Sequence, residues 1–248
     1  MNKSEASFRI GQVTDVHLEL DEGLNSGLDS VKSFERILDD VSRFALDLLV
    51  FTGDLAEHGF EKEYFLFKEI IKRYDRPWCV VAGNHDNAEN MVRCLGNSSL
   101  ENGELFYRKK VKGYDFFFLD SSKGFVSREQ LDWLLAESEK SDDEIFIFMH
   151  HPPCLCGHLF MDSRYALKNW KEVGETLDKI RHLHSIFVGH YHSDMTIERG
   201  NEQTVYVTPA TQMQLDPDSA EFKILSKSPG WRLIEYSAGK LSTELRYL

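Results

Sequence analysis

Five short apolar segments of this chain each run directly into residues that can bind metal ions. The segments are rich in β-branched and aromatic residues, a composition that predicts buried strands. In open α/β sheets, residues just beyond the carboxyl ends of the strands gather in one crevice, even when they are far apart in the sequence. We therefore expect the polar residues after these segments to converge. The predicted strands are Phe8 to Thr14, Leu46 to Thr52, Trp78 to Ala82, Ile145 to Met149 and Ser185 to Val188.

The residues that follow the five strands are carboxylates, an amide and imidazoles. Taken alone, each has an ordinary interpretation: Asp15 as a cap, His17 as a surface histidine, Asn84 as a turn residue. The same kind of group at five successive strand ends is not expected by chance and favours a shared metal site. The groups are Asp15 and His17, then Gly53-Asp54, then Gly83-Asn84-His85-Asp86, then His150 and His151, then Gly189-His190-Tyr191-His192.

The candidate ligands indicate which metals the site would hold. Oxygen and imidazole donors without thiolate suit manganese, iron, cobalt or zinc better than calcium or magnesium. There are too many candidates for one ordinary site, whereas two metals roughly 3.5 to 4 Å apart, sharing a carboxylate, would use them all. The candidate ligands are Asp15, His17, Asp54, Asn84, His150, His190 and His192.

The remaining pattern predicts an α/β fold. Helical periodicity occurs around residues 31 to 44, with Asp29 or Ser30 as the cap, and over Glu61 to Tyr74, Arg128 to Glu139 and Asn169 to His182. Further strands are expected on both sides of a Lys112-Gly113 turn and after residue 192, too many for one parallel sheet. We expect a four-layer α-β-β-α sandwich of two mixed sheets flanked by helices, with the metal site at the carboxyl ends of the strands. The later strands are Asp194 to Arg199, Gln203 to Thr208 and Trp231 to Tyr247, the last broken by Ala238-Gly239.

Size and charge limit the partners. The 248 residues suit a single domain, 1–248, and the net charge of −12 disfavours a nucleic-acid polymer while leaving a small anionic substrate feasible beside a metal cluster. Met1 to Ile10 has no apolar signal, and no apolar run is long enough for a bilayer, so we expect a cytoplasmic protein without a membrane partner. The four cysteines do not resemble a disulfide framework. Cys154 and Cys156 lack the second pair that a structural zinc needs, and we interpret them as loop thiols.

At the five blocks the sequence resembles the calcineurin-like metallophosphoesterases, from Phe8 to about Tyr236. The resemblance implies that Asp54 bridges two metals. The fourth-block ligand would be His150, with His151 as the alternative. The implied ligands of one metal are Asp15, His17, Asp54 and His192, and those of the other are Asp54, Asn84, His150 and His190.

The catalytic groups follow from the same assignment. A hydroxide bridging the two metals would be the nucleophile, because bound water can have its pKa lowered to roughly 7. His85 would contact a phosphate oxygen or protonate the leaving alkoxide, Asp86 would orient His85, and Asn84 would also contact substrate.

The flanking segments resemble the bacterial 3',5'-cyclic-AMP phosphodiesterase branch of this family. The resemblance implies hydrolysis of a cyclic nucleotide, with a glycerophosphodiesterase, a nucleotide phosphomonoesterase or a pyrophosphohydrolase as alternatives. A nuclease and a non-enzymatic scaffold are disfavoured by the charge and by the intact motifs. Apolar strands near the carboxyl terminus could pair two subunits in a homodimer, or could be core strands. The candidate substrate loops are Asp29-Ser30, Cys154 to Asp162 and Thr211 to Asp218. The supporting segments are His150-His151-Pro152-Pro153, Leu167-Lys168-Asn169, Thr208-Pro209-Ala210-Thr211 with Gln214, and Pro229-Gly230-Trp231-Arg232.

Overall fold

The computed structural model describes residues 7–20, 29–96 and 99–248, and it places six helices and thirteen strands within them. The helices are α1 (Ser30–Val41), α2 (Glu61–Ile71), α3 (Ala88–Leu95), α4 (Arg128–Ser138), α5 (Leu159–Arg164) and α6 (Trp170–Leu177). The strands are β1 (Ser7–Val13), β2 (Leu48–Thr52), β3 (Trp78–Val81), β4 (Tyr107–Val111), β5 (Tyr114–Phe118), β6 (Ile145–Phe148), β7 (Leu183–Val188), β8 (Met195–Glu198), β9 (Thr204–Val207), β10 (Gln214–Leu215), β11 (Ile224–Ser226), β12 (Gly230–Ser237) and β13 (Lys240–Tyr247).

The strands form two large mixed sheets and one small hairpin. The first sheet has the order β13-β12-β1-β2-β3, in which β1, β2 and β3 are parallel and the last two strands of the chain add as an antiparallel hairpin. The second has the order β4-β5-β6-β7-β9-β8, with four parallel strands between two antiparallel edges. Strands β10 and β11 pair separately. The parallel part of each sheet aligns its carboxyl ends, which is what places the candidate ligands together.

Three apolar clusters separate the layers. The innermost lies between the sheets and is dominated by aromatic residues such as Phe8 of β1, Phe116 of β5 and Phe146 of β6. A second cluster packs α1, α2 and α3 on the outer face of the first sheet, and a third packs α4, α5 and α6 on the outer face of the second. The predicted four-layer α/β sandwich is confirmed. No helix within the described residues is long and apolar enough to cross a bilayer.

Several local predictions are confirmed by backbone geometry. Asp29 caps α1, since its side chain accepts a hydrogen bond from Lys32 N at 2.9 Å. Both predicted hairpin turns contain two successive left-handed residues, at Lys112-Gly113 and Ala238-Gly239. Such turns match the twist of the strands that they join.

Other element boundaries were wrong. Helix α6 ends at Leu177 rather than His182, because the backbone tightens there: Lys179 N and Ile180 N donate to carbonyls three residues back instead of four. Helices α3 and α5 and the β10–β11 hairpin were not predicted, since segments this short carry too little periodicity to be recognised.

Candidate metal centre

The five strand ends meet at one edge of the sandwich, with both sheets contributing. Three overlapping groups of side chains have potential ligand atoms within 4.8 Å of one another. Six of the seven predicted ligands occur in them, and the seventh, Asn84, lines the adjoining cavity. The groups are Asp15 with His17 and His192, His17 with Asp54 and His85, and Asp54 with His150 and His190.

Five of these residues have a left-handed backbone that only glycine adopts without cost. Each lies two residues beyond the end of a strand or beyond another site residue, so the chain must turn sharply while still presenting its side chain to the crevice. Conformations of this kind cluster where function over-determines the backbone. The φ angles are 53° at Asp15, 47° at His17, 51° at Asp54, 66° at His190 and 48° at His192.

Glycines in the motifs allow the strand ends to approach closely. A Cβ atom on Gly83 would lie 2.2 Å from Asp54 Oδ1, and one on Gly53 would lie 2.4 Å from His150 Nδ1. These contacts are shorter than any real Cβ contact, so a larger residue would push Asp54 or His150 out of position. The glycine in the Gly-Asp and Gly-Asn-His-Asp motifs is therefore required by packing around the ligands.

Asp54 lies close to histidines of both predicted ligand sets. Its Oδ2 is 3.2 Å from His150 Nε2 on one side and 3.7 Å from His17 Nε2 on the other. Asp15 Oδ1 is 3.3 Å from His192 Nε2, and the Nε2 atoms of His17 and His192 are also 3.3 Å apart. Asp54 thus belongs to two of the three potential ligand groups.

Each histidine at the site is fixed through one ring nitrogen. A nitrogen that donates to a carbonyl or carboxylate oxygen leaves the other ring nitrogen unprotonated in the neutral tautomer, which is the form that binds metal. Because the fixed nitrogens point away from the cluster, five imidazoles present a nitrogen toward the crevice. The donors and acceptors are His17 Nδ1 to Glu57 Oε2 at 2.7 Å, His85 Nδ1 to the Glu57 carbonyl at 2.9 Å, His150 Nδ1 to the Thr52 carbonyl at 2.7 Å, His190 Nε2 to the Tyr165 carbonyl at 3.0 Å and His192 Nδ1 to the Met213 carbonyl at 3.2 Å.

Two buried atoms in this cluster have no hydrogen-bond partner among the described residues: Asp15 Oδ1 and His150 Nε2. An unsatisfied buried acceptor costs free energy unless something pairs with it, and a cation between the groups would do so. Separations of 3.2 Å between His150 Nε2 and Asp54 Oδ2, and of 3.9 Å between His17 Nε2 and Asp15 Oδ1, fit ligand atoms that each lie about 2.0 to 2.2 Å from a shared cation. The arrangement suits a dimetal centre.

The carboxylates and imidazoles also perturb one another electrostatically. Burial alone would raise the pKa of Asp54, but the adjacent His150 and His17 outweigh it and hold that pKa well below the usual carboxyl range. Burial lowers the pKa of His150, whereas Asp54 and Asp15 raise it, to about 9 overall. Burial and the charge of His150 lower the pKa of His190 to about 3. Asp54 and His150 therefore each favour the charged form of the other.

The structure corrects the expected role of Asp86. His85 is oriented by the Glu57 carbonyl, and the Asp86 carboxylate instead accepts hydrogen bonds from Gly83 N at 3.0 Å, from Leu55 N and Ala56 N at 3.2 Å and from the Tyr64 hydroxyl at 3.1 Å. Asp86 thereby ties the loop after β2 to the loop after β3. Burial and the nearby Asp54 raise the pKa of Asp86 to about 6.

The two alternatives around residue 150 are distinguished by position. His150, rather than His151, belongs to a group of potential ligands, whereas His151 is buried with its Nδ1 2.9 Å from Ser121 Oγ. Cys154 and Cys156 are free, half-buried thiols, and neither belongs to a potential metal group in the described part of the chain. Their Cys156 Sγ to Cys154 carbonyl contact is 3.6 Å.

A cavity of about 490 Å³ opens over the ligand cluster. All three predicted substrate loops contribute to it, through Ser30, through Phe160 with Met161, and through Gln212 with Met213 and Leu215. Tyr165 and Phe222 also line it, and no sequence pattern indicated them. Glu57 was missed as well, and its place three residues after Asp54 is the only sequence feature that could have indicated it.

Comparisons with known proteins give a consistent result. Residues 8–194 match the family model described as calcineurin-like phosphoesterase. The chain is 45% identical over 241 residues to a probable cyclic nucleotide phosphodiesterase of Fibrobacter succinogenes, covering 97% of this chain and 94% of that protein. It is 30% identical to the 3',5'-cyclic adenosine monophosphate phosphodiesterase CpdA of Escherichia coli K12, covering 98% of this chain and 91% of that protein. In fold it is similar to a dimetal phosphatase of Danio rerio, with a TM-score of 0.70, 15% identity and coverage of 96% and 98%.

Proposed function

This chain belongs to the calcineurin-like phosphoesterase family, and on that premise we propose that it is a metal-dependent phosphodiesterase that hydrolyses a 3',5'-cyclic nucleotide. The observation that carries the proposal is the convergence of imidazoles whose outer nitrogens are fixed, around two carboxylates, of which Asp15 has an unsatisfied buried oxygen. Buried imidazole nitrogens and carboxylate oxygens that face one another are a donor set suited to cations.

The proposed ligand sets are those implied by the motifs. Asp15, His17 and His192 would hold one cation, His150, His190 and Asn84 the other, and Asp54 both. When bound, the two cations would neutralise charge on the phosphate and supply the hydroxide nucleophile for in-line attack on phosphorus.

His85 is proposed as the proton donor. Its Nδ1 is fixed by the Glu57 carbonyl, it lines the cavity, and its ring stands edge-on to that of His17 at 4.7 Å. In the protonated imidazole the remaining nitrogen donates a proton to the leaving alkoxide as the ester P–O bond breaks and a new P–O bond forms to the attacking oxygen. Asn84 and His85 together would contact the phosphate oxygens.

The charge of the cavity favours a diester over a monoester. No lysine or arginine occurs among the described residues that line it, and Glu19 and Glu57 add negative charge. The second negative charge of a terminal phosphate dianion would therefore have no lysine or arginine to pair with, beyond the proposed metal ions. The singly charged diester needs no further positive group. The absence of lining cations also disfavours pyrophosphates and nucleic-acid strands, so the proposed partner is a small phosphodiester. The names of both relatives above favour the cyclic nucleotide over a glycerophosphodiester.

A hydrolysis panel on the purified protein, supplemented with manganese, tests the proposal. It compares 3',5'-cyclic AMP and cyclic GMP with 2',3'-cyclic AMP, a glycerophosphodiester and AMP. We expect the highest kcat/KM for a 3',5'-cyclic nucleotide. Preferential release of phosphate from AMP would refute the diesterase. A higher kcat/KM for the glycerophosphodiester would instead indicate a glycerophosphodiesterase.

A further inference from the structure

Beside the ligand cluster the cavity is bounded by three aromatic side chains that the chemistry above does not use. Phe160 is only 7% exposed, and both Tyr165, at 50%, and Phe222, at 54%, lean against it. The ring centroids are 5.5 Å apart for Phe160 and Tyr165 and 5.9 Å apart for Phe160 and Phe222. We call Phe160, Tyr165 and Phe222 the aromatic wall.

The wall is assembled from two segments that are joined directly. Helix α5 supplies Phe160, with Tyr165 at its end, and the loop before β11 supplies Phe222. Leu159 N donates to the Pro217 carbonyl at 2.9 Å, and Arg164 pairs with Glu221 at 3.3 Å while its guanidinium lies 5.1 Å from the centre of the Phe160 ring. These contacts hold the two segments of the wall against each other.

Tyr165 of the wall, and Met213 just before β10, each contact a predicted metal ligand. The carbonyl of Tyr165 accepts the hydrogen bond from His190, and the carbonyl of Met213, which also lines the cavity, accepts the one from His192. The backbone of these residues orients the ligands while the side chains face the cavity. The distance between a phosphate at the ligands and a group on the wall is thereby fixed.

Exposed aromatic rings at the mouth of a pocket expose apolar surface to water unless a ligand covers it. The flat group that accompanies a cyclic phosphodiester is the nucleobase, and bases stack on aromatic side chains with little dependence on their identity. From these observations we propose that the aromatic wall is the base-binding subsite of this enzyme, with the exposed rings of Tyr165 and Phe222 contacting the base. This inference rests on the proposed function for the identity of the phosphate group.

The wall would set the preference for nucleotides over diesters that lack a base. Base stacking contributes roughly 5- to 150-fold in affinity per base by alanine substitution. It would select weakly among the bases themselves, because the wall offers ring faces rather than a set of hydrogen-bonding groups. We therefore expect cyclic AMP and cyclic GMP to be accepted alike.

The test uses Tyr165→Ala and Phe222→Ala, with Tyr165→Phe and Phe222→Trp as variants that keep a ring. Leu225→Ala is the matched control, since Leu225 is an exposed apolar residue of the same hairpin that does not line the cavity. None of these changes removes the carbonyl that orients His190. The measurements are KM and kcat for 3',5'-cyclic AMP, inhibition by inorganic phosphate, metal content, and direct binding of adenosine by calorimetry.

We expect both alanine variants to raise KM and to weaken adenosine binding by about fivefold or more. Metal content and phosphate inhibition should stay unchanged, and the ring-keeping variants should recover most of the loss. Unchanged KM and adenosine affinity would refute the subsite, as would equal losses in Leu225→Ala or a parallel loss of phosphate inhibition.

The two proposals fail differently. If the wild-type protein binds adenosine through the wall but does not hydrolyse cyclic AMP, the proposed function is wrong and the subsite stands. If it hydrolyses cyclic AMP with the same KM in all variants, the function stands and the subsite is wrong.

Discussion

Glu57 accepts a hydrogen bond from His17, with 2.7 Å between Glu57 Oε2 and His17 Nδ1. The carbonyl of Glu57 accepts from His85 as well, so one residue orients a proposed ligand through its side chain and the proposed acid through its backbone. Outer contacts of this kind stabilise the metal-binding tautomer.

Replacement of the Glu57 side chain should weaken metal binding without removing a ligand. We expect Glu57→Ala to lower the affinity of the site that contains His17 by about 10- to 100-fold. Glu57→Gln keeps an acceptor oxygen and should lose less. Competition with a chromophoric chelator measures both affinities, and equal losses in the two variants would show that the hydrogen bond to His17 is not responsible.

Replacement of Asp54 should abolish metal loading and turnover together. In Asp54→Ala each proposed cation loses the carboxylate that they share, so the bound metal should fall from two per chain and activity should fall by more than the roughly 100-fold typical of outer contacts. Elemental analysis after desalting gives the stoichiometry. Asp132→Asn, at an exposed position on α4, is the control. Near-normal turnover in Asp54→Ala would refute the two-metal mechanism.

Replacement of His85 should separate catalysis from metal binding. The loss of a proton donor lowers kcat by about 100- to 10,000-fold, whereas the metal content of His85→Ala should remain that of the wild type. A His182→Ala variant controls for the loss of an imidazole elsewhere. Because His85 also forms a potential ligand group with His17 and Asp54, a fall in bound metal would identify it as a ligand instead.

We expect Asp86 to stabilise the loops after β2 and β3 rather than to orient His85. Removal of its carboxylate in Asp86→Ala leaves three backbone N–H groups without their acceptor, each a loss of about 1 kcal/mol or more. We expect lower stability and weaker metal retention together, with Tyr64→Phe giving a smaller change in the same direction. A variant with normal stability and metal content but a lost kcat would instead support direct action on His85.

A pH-dependent contribution to stability is expected far from the centre, at Asp40. Burial raises the pKa of Asp40, but its hydrogen bonds from Arg246 and Trp231 outweigh burial and lower it below the usual value. A lowered pKa means that the contribution is present above the unfolded value of about 3.9 and is lost as the pH falls through the folded value.

The measurement is urea unfolding at several pH values. Asp40→Asn should lose about 2 kcal/mol of unfolding free energy at neutral pH. The difference in unfolding free energy between this variant and the wild type should become smaller below the unfolded pKa of about 3.9. Asp39→Asn, at the exposed neighbouring position, controls for the charge change alone. A gap that stays constant down to pH 3 would contradict the role of the Asp40 charge.

The parts of this structure that were predictable depend on repeated local patterns. Apolar segments such as residues 145–149 indicate buried strands, and motif residues such as Asp54 and His190 mark the ends of strands. The sandwich and the location of the potential metal ligands therefore follow from the sequence. Contacts through the backbone leave no such trace. Nothing in the residue type of Tyr165 or Met213 shows that its carbonyl orients a histidine, and Asp86 is equally able to bind an imidazole or three backbone amides until the loops are in place.

The five left-handed residues of the centre bear on how this chain would change if its activity were no longer selected. Each non-glycine residue in that conformation costs the folded state roughly 1 to 2 kcal/mol, and glycine would remove the cost. The backbone conformation alone therefore favours glycine at Asp15, His17, Asp54, His190 and His192. A descendant kept only as a binding scaffold would be expected to drift first at these positions.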